Sequence, residues 1–204
     1  MTAITTTTPG TAWKKAIKIV LDKGEIIQDD GENLYELINV SILIKKPTKI
    51  DQIVKDYGDI EMLKWMRNNF HSTEPVENWG YCYGQRLQNF EGINQMEKVI
   101  IKLKKNPQTK SATLNFTFPP GDVKHMPCVN ILDLKFRNNK LNASVFMRSQ
   151  DAGKKLYADI ISMGEIVKEI AQKVGQTPGE LLIHISSLHV YEKDLNKFKE
   201  LINS

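Results

Sequence analysis

Cysteine is scarce: the 204 residues hold two, Cys82 and Cys128, far apart and in no Cys-x-x-Cys pair. That excludes a disulfide-stapled scaffold and a cysteine-rich zinc site, and no metal is expected. Long apolar runs are also missing. Lys, Asp or Glu interrupts each one, so no segment qualifies as a membrane span and no membrane partner is expected. The N-terminus lacks a basic start followed by an apolar stretch, so no secretory leader is expected and the cytoplasm is the expected compartment. A large excess of one charge is absent too: 28 Lys+Arg against 24 Asp+Glu give a net charge of +4. The basic residues are scattered rather than massed in one arm. This argues against a nucleic-acid partner and suits a small anionic substrate. Neither an internal repeat nor an interdomain linker is visible.

What is present is an ordinary globular composition, 41% hydrophobic and 25% charged, in a length that suits one domain with a substantial core. Residues 1–10, Thr-rich and ending Pro9-Gly10, read as a flexible N-terminal tail, and 11–204 as the domain. Trp13, Ile17, Val20 and Leu21 recur at helical spacing, and Gly24 stands where that helix stops. Asn39–Ile44 reads as a strand, 51–70 as helical, and Ile93, Met96, Ile100 and Leu103 as a helix face stopped by Asn106-Pro107. Ala112, Leu114, Phe116 and Phe118 then alternate with polar residues, which predicts a half-buried strand broken by Pro119-Pro120-Gly121. Leu132–Phe136 and Leu141–Met147 flank Arg137-Asn138-Asn139-Lys140, a β-hairpin pattern. Ile160, Met163, Val167, Ile170 and Val174 predict a long buried helix ending at Gly175. A strand over 181–190 and a short helix over 195–202 follow. Helices mixed with antiparallel strands around one core make the fold class α+β.

Three short motifs carry candidate chemistry. Cys128 stands in Met126-Pro127-Cys128. Twenty residues on comes Arg148-Ser149-Gln150-Asp151, and forty-one beyond that Arg comes His189-Val190-Tyr191. A thiol is a strong nucleophile as its thiolate, and a nearby cation favours that form. A guanidinium fork with a hydroxyl beside it matches a phosphate. His189 and Tyr191, two apart on a strand, share one face and present polar ring tips suited to a sugar hydroxyl. His184, on the same strand but outside the motif, reads as structural, and Cys82 as space-filling.

This ordered set resembles the thymidylate synthase and pyrimidine nucleotide hydroxymethylase superfamily, with the match best from Tyr81 to Leu201. The resemblance implies a thymidylate synthase-like catalytic domain: a mainly antiparallel or mixed sheet flanked by helices. It implies one-carbon transfer from 5,10-methylenetetrahydrofolate to carbon 5 of a pyrimidine nucleoside monophosphate. Cys128 becomes the nucleophile that adds to carbon 6 and makes carbon 5 reactive. Arg148 and Ser149 become phosphate ligands, Asp151 the folate contact, and His189 and Tyr191 the sugar ligands. Tyr83, in Tyr81-Cys82-Tyr83-Gly84-Gln85-Arg86, becomes part of the active-site floor. Glu61 becomes the candidate general base. A homodimer is implied, with basic residues lent across its interface; Lys110 stands where that basic pair belongs.

Departures from the family pattern shape the specificity expected. Thymidylate synthases carry an asparagine eleven residues after the motif arginine, and this chain has Asp159. A protonated carboxyl donates to the cytosine ring nitrogen and accepts from its amino group, so Asp159 favours a cytosine nucleotide. The competing reading makes Asp159 the N-cap of the helix near Ile160. Val129 replaces the histidine that usually follows the nucleophile. Gln28-Asp29-Asp30-Gly31 lacks the arginine of the N-terminal phosphate loop. The sequence ends at Ser204 without the long tail that closes over folate, and an open site admits water. These features favour 5-hydroxymethylation of CMP or dCMP. The alternatives are a short-type thymidylate synthase methylating dUMP and an inactive nucleotide-binding homologue.

Overall fold

The computed structural model describes residues 2–76, 79–122 and 125–203. Met1 and Ser204, the outer ends of the expected tail and domain, lie outside the described residues. The α+β fold holds. Among the described residues seven strands form one mixed sheet in the order β1-β3-β7-β6-β5-β4, with β2 also on β3. The strands are β1 (Thr2–Thr6), β2 (Glu25–Asp29), β3 (Glu32–Ile44), β4 (Ala112–Asn115), β5 (Val129–Arg137), β6 (Lys140–Asp151) and β7 (Thr177–Tyr191). The helices are α1 (Pro9–Lys23), α2 (Gln52–Tyr57), α3 (Ile60–His71), α4 (Tyr83–Gln88), α5 (Gln95–Lys105), α6 (Leu156–Lys173) and α7 (Lys199–Asn203), with a 3-10 segment over Glu192–Phe198.

Residues 2–6 correct the flexible tail. They form β1, paired parallel with Val40–Ile44. Thr2–Thr6 is too short to announce itself as a strand, but β3 offers an open edge of unpaired amides and carbonyls, and β1 satisfies it. Asp51 then ties this end down by accepting from Thr8 Oγ1 and the Gly10 N–H. The helical stretch 51–70 is two helices, split at Gly58-Asp59. Asp59 Oδ1 caps α3 by accepting from the Glu61 and Met62 amides. The predicted hairpin is β5–β6, and Asn138 and Asn139 sit at φ +52 and +59, the left-handed pair such a two-residue turn needs. The half-buried strand is shorter than its pattern. Regular pairing of β4 ends at Asn115, because Asn115 turns its side chain back onto the Thr117 backbone.

One face of the sheet is covered by α1 and α6. Val40, Ile42, Ile44, Leu181, Ile183, Ile185, Val145 and Met147 are all buried there. Alternation along three neighbouring strands then slips by one residue. In β6 burial passes from Met147 to Gln150, and in β7 from Ile185 to Leu188. Met147 pairs with Ile185 and Ser149 with Ser187, so the two slips lie side by side. Asn39, at φ +56 between the pairs Ile38–Ser187 and Val40–Ile185, extends the line into β3. A left-handed asparagine is the usual way to accommodate such a kink. Beyond the line, Ser149, Asp151, Ser187, His189 and Tyr191 turn away from the helices. They share the face that carries the row Ile131–Phe146–His184–Ser41.

Candidate active site

A cavity of about 410 Å³ opens where those residues turn outward. It is lined by Cys128, Arg148, Ser149, Asp151, His189 and Tyr191 from the sequence motifs. The volume falls within the usual range for small-molecule sites. A larger cavity, about 540 Å³, lies between His71, Gln88, Met96 and Lys173 and holds none of the motif residues, so chemistry rather than size selects the site.

Cys128 leads into β5, and the sheet brings Arg148 to it directly: the Arg148 N–H donates to the Cys128 carbonyl at 2.9 Å. The guanidinium donates to the carbonyls of Met126 (2.8 Å) and Pro127 (3.2 Å), which fixes the loop carrying the thiol. Its Nη1 also donates to Ser149 Oγ at 3.2 Å, and Ser149 Oγ donates to Cys128 Sγ at 3.4 Å. Cation, hydroxyl and sulfur therefore form one chain. A guanidinium that occupies the serine's lone pair orients the hydroxyl proton toward sulfur.

His189 and Tyr191 follow on β7, their rings edge to face with centroids 5.4 Å apart. The His189 imidazole is held below its ordinary value of 6.5, first by burial; Asp151 opposes this and Lys155 adds to it. It is therefore neutral at physiological pH, ready both to donate and to accept. Asp151 Oδ1 accepts the Lys154 amide at 3.0 Å. Trp13 of α1 donates its indole N–H to the Gly153 carbonyl at 3.1 Å, so α1 anchors the turn after Asp151.

Tyr83, expected in the active-site floor, lies beside the nucleophile loop and does not line the cavity itself. It is buried, and its hydroxyl accepts the Val129 N–H at 3.3 Å, next to the nucleophile. Its hydroxyl is pushed well above the ordinary value, first by burial, then by the nearby Cys128 and Asp159. That puts the thiol and the Asp159 carboxyl in one neighbourhood. Cys82 is buried and caps α4: Sγ accepts the Gln85 amide and donates to the Ser72 carbonyl. His184 bonds Ser41 at 3.1 Å and stacks on Phe146, outside the cavity.

Asp159 is not an N-cap. Helix α6 begins at Leu156 with Lys155 at the cap position, so Asp159 lies within the first turns. It is 3% exposed, and the residues lining the cavity do not include it. Gln150 Nε2 donates to its Oδ2 at 2.8 Å, and its Oδ1 is buried with no hydrogen-bond partner. Burial pushes its value up to about 6, with Lys155 and the Gln150 bond opposing and Asp151 adding.

Two expected residues are elsewhere. Glu61 is an exposed first-turn residue of α3, paired with Lys64 at 2.8 Å and outside the cavity. Leu63, Met66 and Phe70 turn α3 inward, which leaves Glu61 facing solvent. Lys110 is exposed before β4 and does not line its own chain's cavity.

The structure also adds residues the sequence reading missed: Asp29, Asp30, Glu36, Lys155 and Ser187. Glu36 lies opposite His189 across β3–β7, and its Oε1 accepts from Ser187 Oγ at 2.5 Å. Its position opposite a motif residue was readable only once strand register was known. Asp29 ends β2 and Asp30 opens the turn to β3, and both line the cavity in the segment where the missing arginine was sought.

The sequence profile of the family described as thymidylate synthase matches residues 35–204. The chain belongs to the thymidylate synthase family. A protein of Methanosarcina mazei named "Putative thymidylate synthase" is 31% identical over 196 residues, covering 94% of this chain and 90% of its own length. Proteins bearing the same name in Methanopyrus kandleri (32%, 90% of each chain) and Methanothermobacter thermautotrophicus (28%, 93% of each chain) are similar across the same extent. The match spans the nucleophile loop and the strands that carry the motifs, so the motif residues lining the cavity of this thymidylate synthase-like transferase lie inside the region the family shares, while Ile27, Asp29, Asp30 and Leu34 of its wall precede it.

Proposed function

We propose that the protein transfers a one-carbon unit from 5,10-methylenetetrahydrofolate to carbon 5 of a cytidine nucleotide, CMP or dCMP, giving the 5-hydroxymethyl product. The observation that carries this reading is the buried Asp159 carboxyl, with one oxygen hydrogen-bonded to Gln150 and the other unpartnered. A carboxyl held near neutrality by burial offers both an acceptor and a donor. Cytosine presents the complementary amino group and ring nitrogen.

In this reading Cys128 adds to carbon 6, and the electron pair moves into the ring so that carbon 5 becomes nucleophilic. Ser149 and Arg148 hold the sulfur and the loop of Cys128 before substrate arrives and turn to the phosphate when it binds. His189 and Tyr191 hold the sugar. The folate would supply the one-carbon unit at the oxidation level of formaldehyde and leave as tetrahydrofolate as a base takes the carbon 5 proton. Water adds to the exocyclic methylene so formed, and expulsion of the Cys128 thiolate from carbon 6 frees the hydroxymethyl nucleotide. Asp151, beside Lys155 in the cavity wall, suits the amide and amino edge of a pterin. Glu36 takes the general-base place that Glu61 does not reach, since it is in the cavity and already in a hydroxyl network with Ser187.

The wall of one chain carries Asp29, Asp30, Glu36 and Asp151 against Arg148 and Lys155. A phosphate dianion needs further positive charge. The same sheet face leaves Ile38, Ile131, Phe146 and Leu182 exposed, at 62, 42, 42 and 39%. The proposal therefore includes a homodimer that covers this face, with Lys110 directed to the partner's cavity rather than its own.

The relatives' shared name favours a second reading, methylation of dUMP. Incubation with methylenetetrahydrofolate and each of CMP, dCMP and dUMP separates the two. A hydroxymethyl cytosine nucleotide supports the first; thymidylate as the only product rejects it.

A further inference from the structure

We propose that Gln150 is a positioning residue that decides which base edge Asp159 reads, by fixing which carboxyl oxygen carries the proton. The inference rests on the cytidylate reading above.

Gln150 is the unassigned member of Arg148-Ser149-Gln150-Asp151. Its neighbours face the cavity, whereas Gln150 faces the helices and is 1% exposed. A strand residue there has only packing to do, and its cross-strand partner Leu188 is apolar. An amide buried in that layer is costly unless it is hydrogen-bonded. Its recorded side-chain bond runs from Nε2 to Asp159 Oδ2 at 2.8 Å.

That bond has a chemical consequence. An amide N–H only donates, so Oδ2 is held as an acceptor and any carboxyl proton goes to Oδ1. Oδ1 is the oxygen without a partner. Cytosine presents a donor at position 4 and an acceptor at position 3, and uracil the reverse. A carboxyl whose proton moves freely matches either base, because either oxygen can donate. A carboxyl with its proton pinned matches one base only. The other groups near Asp159 leave the two oxygens equivalent in kind: Lys155 on α6 favours the ionised form, Asp151 on β6 opposes it, and Tyr83 on α4 remains a neutral phenol. Among these groups, Gln150 alone makes a hydrogen bond that distinguishes one oxygen from the other.

Gln150→Met, of similar length and apolar, removes the donor. Gln150→Glu keeps the shape and serves if the methionine variant fails to fold, as read by thermal melting. The measurement is kcat/KM for cytidylate and dUMP across about pH 5 to 9 in parent and variants. Loss of the donor is expected to cut the cytidylate-to-uridylate ratio about tenfold or more. The pH limb of cytidylate kcat/KM is expected to move upward, and further in Gln150→Glu, where a like charge joins Asp159. A merely structural role would lower both substrates together and leave the ratio and the limb in place. That result, in a parent that turns over cytidylate, overturns the role of Gln150 and keeps the proposed function. Turnover of dUMP alone by the parent overturns both.

Discussion

At the scale of single residues, the site depends on Cys128 and Asp159, whose chemistry pulls in opposite directions. In the proposed mechanism Cys128 attacks as its thiolate, and the Arg148–Ser149 chain ends 3.4 Å from its sulfur. Cys128→Ser is expected to abolish turnover, while nucleotide affinity measured by calorimetry stays within about threefold, because the alkoxide is inaccessible but the clamp remains. Retained turnover would remove the covalent mechanism. Asp159 must stay protonated, and burial achieves that up to about pH 6. Cytidylate kcat/KM is therefore expected to fall as pH rises through about 6, and Asp159→Asn to remove that fall and shift preference to dUMP. Stability follows the same sign. The folded value lies above the ordinary 3.8, so the stabilising neutral form is complete below about 4 and lost as pH rises through about 6. Relative to the parent, Asp159→Asn is expected to gain up to about 3 kcal/mol above that range in denaturant melts, with no such gain in acid. The motif residues were legible because their spacing is written in the chain. Glu36, Lys155 and Ser187 were not, because single residues within strands and helix starts carry no signal until register places them. Glu61 misled because a first-turn glutamate looks alike whether it faces a site or solvent.

At the scale of elements, the cavity exists because β3, β7 and β6 slip together. The slip turns Ser149, Asp151, Ser187, His189 and Tyr191 out of the helix-covered layer in one step. Periodicity revealed the strands but smoothed over this line, since one residue of mismatch in a ten-residue pattern is lost among the polar positions. Asn138-Asn139 showed its turn because asparagine pairs accept the left-handed region, whereas β1 showed nothing, its pairing depending wholly on the open edge of β3. Helix α4 supplies a test at this scale. A Cβ on Gly84 would stand 2.1 Å from the Ser72 carbonyl oxygen, so α4 must shift, and Tyr83 with it. Gly84→Ala is expected to cost about 1–3 kcal/mol in thermal or denaturant unfolding. It is also expected to lower kcat, by loosening the Tyr83–Val129 bond next to the thiol. An unchanged melting curve with full activity would show that the floor tolerates movement.

At the scale of the whole molecule, one sheet face is covered by α1 and α6, and the other carries the exposed Ile38, Ile131, Phe146 and Leu182 beside the candidate active site. A row from Ile131 through Phe146 and His184 to Ser41 crosses four strands, with no helix over it among the described residues. If the proposed homodimer covers this face, Phe146→Glu is expected to yield a folded monomer by sedimentation and to lose turnover, the proposed partner's Lys110 no longer reaching the cavity. A monomeric but active variant would show that one chain holds phosphate unaided. The fold class and the family were legible from the sequence, since both rest on pattern and motif order, but the uncovered face was not, because its apolar residues look like core until the helices are placed. The most direct test of the central claim is mass spectrometry of the products formed with methylenetetrahydrofolate and CMP, dCMP or dUMP. The account predicts a hydroxymethyl group on a cytosine nucleotide; a methyl group on dUMP, with no cytosine product, would contradict it.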